Sequence, residues 1–96
     1  MKKFLMLSYG YIEPTPEVVG AWMAWFEKVG EHIVDSGNPL GNCREVTNDG
    51  SRHLTPAMGA AGGYSILSAD SMEDAERLLE GCPIIDRVQL YEAMAM

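Results

Sequence analysis

His32 and His53 are the two side chains of this 96-residue chain that ordinarily exchange protons near neutral pH. His32 and Asp35 stand at i, i+3, with Lys28 one turn before the imidazole. On a helix this spacing puts the three on one flank, where a carboxylate can orient an imidazole as a general base. The plainer alternative is a helix C-terminus, whose macrodipole favours an imidazolium and leaves Asp35 in water. His53 closes a short strand pattern next to a glycine-rich run, where it faces either a cleft or solvent.

A second chemistry is apolar. Trp22, Trp25 and Phe26 cluster on one stretch and could line a pocket for an apolar or aromatic molecule, since concave sites are mostly apolar with a few polar groups. Helical periodicity turns Trp22 and Phe26 inward as core and leaves Trp25 at the edge of the buried arc, the better placed of the three to form a wall. Tyr9, Tyr11, Tyr64 and Tyr91 fall on strands or their ends, where the hydroxyls of Tyr9 and Tyr64 could converge on the same ligand. The alternative for each is core or interface packing.

Other chemistries are disfavoured. Cys43 and Cys82 are too few and too far apart in sequence for a disulfide framework or a zinc site, and neither histidine adds ligand spacing. Gly59, Gly62 and Gly63 precede a strand pattern rather than a helix, so they do not form a phosphate-binding loop. No Ser or Cys has the surroundings of a nucleophile elbow. No metal and no cofactor is expected.

These residues need elements to position them. Residues 3–9 (KFLMLSY) read as a buried, central strand. Thr15 as N-cap and Pro16 at the first helical position open a long helix over residues 16–36, apolar at Val18, Trp22, Phe26, Val29 and Ile33. Residues 39–47 form a weaker strand, and Asn48-Asp49-Gly50 turns it into a partner at residues 51–54. Residues 55–63 (TPAMGAAGG) are too rich in Gly, Ala and Pro for regular structure and read as a mobile loop or lid. Tyr64, Ile66 and Leu67 carry strand character; Ser71 then caps a helix patterned by Met72, Ala75, Leu78, Leu79 and Cys82, stopped by Gly81 and Pro83. Residues 87–93 (RVQLYEA) alternate as a last strand. The fold class expected is α+β, a ferredoxin-like βαββαβ sandwich in one domain, with one sheet covered by helices on one face.

The stretch GGYSILSADSMEDAERLLEGCP, together with the apolar first strand and the helix AWMAWFEKVGEHIVDSGNPLG, resembles the YCII-related (DGPF) family of the dimeric α+β barrel superfamily. That resemblance implies two sheets packed face to face in a homodimer. The chain departs from the family at two places. Thr55-Pro56-Ala57-Met58-Gly59 stands where the family has its Asp-Gly-Pro-Phe turn, and counting back from Gly37 to the family's helix histidine lands on Phe26. No residue here therefore inherits that histidine's role.

Fourteen acidic against seven basic residues give a net charge of -7, and Lys2-Lys3 is the only adjacent basic pair, so phosphate backbones and anionic membrane surfaces are repelled. The opening MKKFLMLSYGYIE is broken by Ser8 and Gly10 before it could act as a secretory signal, which points to the cytoplasm. At 47% apolar residues in so short a chain, part of the apolar surface is expected to meet a second copy. Three functions follow as expectations. The first is a homodimer binding a small apolar molecule between helix and sheet, through Trp22, Trp25, Tyr9 and Tyr64. The second is a small enzyme using His32, with Asp35, or His53. The third is a structural or regulatory interaction domain without a ligand.

Overall fold

A computed structural model describes all 96 residues. In chain order the elements are β1 (Lys2–Tyr9), α1 (Pro16–Val29), β2 (Ile33–Asp35), β3 (Cys43–Thr47), β4 (Gly50–Leu54), β5 (Gly63–Ala69), α2 (Met72–Leu78) and β6 (Arg87–Glu92). The chain is a small α+β fold with two helices and antiparallel sheets. Both helices start on side-chain caps: Thr15 Oγ1 accepts from the Val18 N–H at 3.3 Å, and Ser71 Oγ accepts from the Asp74 N–H at 3.1 Å. Each cap satisfies a main-chain donor that the helix itself leaves unpaired.

Four strands form one sheet in the order β2-β5-β1-β6, every pair antiparallel. The apolar run of β1 thus lies inside the sheet, as its composition predicts. Register sets the faces: Phe4 pairs with Leu67 and Met6 with Ser65, while Leu5 pairs with Ile66 and Leu7 with Tyr64. Phe4, Met6, Leu67 and Ala69 join Trp25 and Val29 of α1 and Ala75 of α2 in one buried cluster, so both helices pack on the same face. The single buried polar side chain, Ser65, donates its hydroxyl to the Ser36 carbonyl at 2.8 Å.

The first helix is shorter than its apolar pattern predicts. It ends at Val29 because Gly30 turns to φ +41°, a single 3-10 turn follows over Gly30–His32, and the β-branched pair Ile33-Val34 enters the sheet beside β5. Gly37 then takes φ +73°, with its Cα so near the Tyr64 carbonyl that a Cβ would lie 1.8 Å from the oxygen. Only glycine fits there.

The hairpin also departs from expectation. β3 starts at Cys43, and β3 and β4 form a separate two-stranded sheet instead of joining the main one; of the earlier residues only Pro39 bridges to Gly63. The sheet edge beside β5 is taken by β2. Residues 55–63 are anchored: Met58 and Ala60 N–H groups both donate to the Thr55 carbonyl, Gly62 N–H donates to Ser8 O at 2.7 Å, and Ala60 is buried. No helix is long and apolar enough to cross a membrane.

Candidate functional site

Three aromatic side chains project from α1, and their order of burial reverses the periodicity argument. Trp25 is 2% exposed and sits in the centre of the core, whereas Trp22 and Phe26 flank it half-buried. The indole N–H of Trp25 donates to the Leu78 carbonyl at 2.8 Å, at the end of α2. That bond lets a tryptophan be wholly buried without an orphaned donor. Trp25 is therefore core, not a ligand wall, and it fills the space between helix and sheet where a cleft was expected.

Trp22 stands edge-on to Trp25, ring centroids 6.0 Å apart at 89°, and its other side opens on a groove of about 440 Å³. Val18 and Ala21 of α1 form the same wall, with Ile12, Ile84 and Ile85 opposite. The facing segment is held by its main chain, since Ile84 N–H donates to Cys82 O and Asp86 N–H donates to Tyr9 O. Ile12, Ile84 and Ile85 remain 48%, 47% and 45% exposed. Exposed aliphatic side chains gathered beside a tryptophan, with Glu17 the one charged group on the lining, form a surface suited to an apolar molecule. None of residues 55–63 lines this groove, so that loop is not its lid.

Tyr9 and Tyr64 lie on the opposite side of the sheet. Tyr64 pairs with Leu7, and Tyr9 is two positions further along β1, so both point to the face that carries no helix. The four aromatic residues expected to line one cleft are thus divided by the sheet. Tyr9 and Tyr91 hydroxyls both donate to Gln89 Oε1, at 2.9 and 3.0 Å, and the Arg87 guanidinium lies 4.3 Å above the Tyr9 ring.

The paired use of His32 and Asp35 does not occur. With the helix ended at Val29, His32 lies in the 3-10 turn and Asp35 in β2. Ser68 O can only accept, so the His32 Nδ1, at 3.0 Å, carries the hydrogen; Asp35 Oδ1 accepts from the Gly37 N–H at 2.8 Å. His32 lines a cavity of about 220 Å³ with Asp70, Asp74 and Leu78. Asp74 is also paired with Arg77, and Lys28 Nζ donates to the Glu80 carbonyl at 2.9 Å rather than reaching the imidazole. His53 is exposed on β4 opposite Arg44 and lines neither the Trp22 groove nor the His32 cavity.

The sequence reasoning missed the Ile84-Ile85 wall. Its signal was the apolar pair after the Pro83 helix stop, too short to read as a strand. Both cysteines are free, and burial pushes the Cys82 thiol up to about 11. No group of three or more His, Cys, Asp or Glu side chains is placed to hold a metal ion. Comparison with protein-family models, curated proteins and solved structures finds no match to this chain.

Proposed function

We propose that the chain is a small-molecule-binding protein of the ferredoxin-like, dimeric α+β barrel class, and within that class a divergent YCII-related protein. The observation that carries the binding reading is the Trp22 groove, whose volume of about 440 Å³ lies within the usual range for ligand sites and whose walls are mostly apolar. The ligand is an apolar or aromatic molecule stacked on Trp22 and covered from the other side by Ile84 and Ile85. The fold reading is supported by the antiparallel order β6-β1-β5-β2 with both helices on one face. The homodimer is supported by the other face, where Leu5, Leu7, Tyr64, Ile66 and Tyr91 have no layer of their own chain above them. Packing two such faces together would bury apolar surface that neither chain covers alone.

Tryptophan fluorescence tests the ligand. Trp22 is half-buried on the groove, whereas Trp25 is sealed in the core, so a bound apolar compound should alter the Trp22 emission only. Titration with indole, 1-naphthol and decanoic acid should give a saturable change that Trp22→Phe abolishes while the circular dichroism spectrum is kept. If no compound changes either protein at roughly millimolar concentration, the ligand reading fails and an interaction domain without a ligand replaces it.

A second reading, acid or base chemistry at His32, is favoured by one observation. The Nδ1–H is engaged by Ser68 O, so Nε2 is the nitrogen left to act, in a cavity that also holds Asp70 and Asp74. A turnover lost in His32→Ala but kept in Trp22→Phe would select this reading.

A further inference from the structure

The β3–β4 hairpin is a part of the chain that its own body packs against only at the base. Its strands pair only with each other, and their burial falls from half-buried at Cys43 and Leu54 to exposed at every position between them. Val46, next to the turn, is 76% exposed. A lone two-stranded hairpin is marginally stable in water, and the Glu45–Arg52 ion pair across it, at 2.7 Å, is exposed and contributes little. The molecule measures 42 × 39 × 18 Å, and the thin dimension accommodates only a sheet and one helix layer. The hairpin therefore extends within the plane of the slab and does not fold back over the open sheet face.

The dimer proposed above has a shortfall of area that this arm can make up. Four strands about 4.8 Å apart, from the three residues of β2 to the eight of β1 and about 20 Å long on average, present about 400 Å² per chain, against the about 800 Å² per partner of a standard stable interface. An arm with five-residue strands, about 17 Å long and about 10 Å wide, adds about 170 Å² of its own and covers a similar area of whatever receives it. Exchanged in both directions across a two-fold axis, two arms bring each chain to about 740 Å², within the standard range.

We infer that the β3–β4 hairpin is an exchange arm that clasps a second copy of this chain, completing an interface that the open sheet face alone leaves too small. This rests on the homodimer reading, and the experiment separates the two. Sedimentation equilibrium first gives the dissociation constant; amide hydrogen exchange is then followed above and below it. The expected result is that amides of β3 and β4 exchange rapidly in the monomer and are protected in proportion to the dimer fraction, and that Val46→Asp, exposed in the single chain, weakens association by about ten-fold or more. A dimer whose hairpin amides exchange equally fast at both concentrations overturns the arm and leaves the dimer standing. A wild-type chain that stays monomeric at about 100 times micromolar overturns both.

Discussion

Trp25 and Leu78 are joined across the core by a hydrogen bond from the indole Nε1 to the main-chain carbonyl, 2.8 Å long. The two residues belong to different helices, so the bond fixes how α1 and α2 sit together on the sheet. It also satisfies a carbonyl near the end of α2, where no further helical turn follows to supply a donor.

Removing that tryptophan should be among the most damaging single changes. Trp25→Ala is expected to cost about 3–5 kcal/mol in urea denaturation, and Trp25→Phe about 1–3 kcal/mol, because phenylalanine keeps much of the volume but leaves the Leu78 carbonyl without its donor. Phe26→Ala, at a half-buried position, should cost less than Trp25→Ala. An equal or larger loss at Phe26 would contradict the order of burial.

Two glycines should respond oppositely to alanine. At Gly37 a methyl group meets the Tyr64 carbonyl at 1.8 Å with the main chain at φ +73°, so Gly37→Ala should destabilise by about 3 kcal/mol or more. At Gly20, inside α1, a Cβ meets nothing within 4 Å, and Gly20→Ala should stabilise by about 0.5–1 kcal/mol. Thermal melts of the two variants read both signs.

His32 and Asp35 should be energetically independent, since one bonds to Ser68 O and the other to the Gly37 N–H, with no shared partner. A double-mutant cycle with His32→Ala and Asp35→Ala is expected to show a coupling below about 0.5 kcal/mol. A coupling well above that value would restore the dyad that the sequence spacing suggests.

Cys82 gives a pH dependence of known sign. Burial raises its thiol from 9.0 to about 11, so between those values the unfolded chain has released a proton that the folded chain still holds. The stabilising contribution is complete below pH 9 and is lost as pH rises towards 11. Lysines and tyrosines titrate in the same range, so the measurement is the difference between wild type and Cys82→Ala: the melting temperature of the wild type should fall more steeply over that window. Parallel curves would show that the thiol is solvated in the folded protein.

By itself the sequence determined the elements whose causes lie within a few residues. Thr15-Pro16 and Ser71 start helices through caps, Asn48-Asp49-Gly50 reverses the hairpin, and the apolar runs of β1 and β5 demand places inside a sheet. Only the tertiary structure decided which of Trp22, Trp25 and Phe26 is innermost, because the three lie within a narrow arc of one helix and the shape of the facing sheet chooses among them. It decided that residues 33–35 leave the helix, since the gain comes from pairing with β5, about 30 residues further along the chain. It likewise parted Tyr9 and Tyr64 from the tryptophans, brought Ile84 and Ile85 opposite Trp22, and left the hairpin outside the main sheet. Each of these outcomes depends on contacts between segments remote in sequence, whose energies no local pattern of residues encodes.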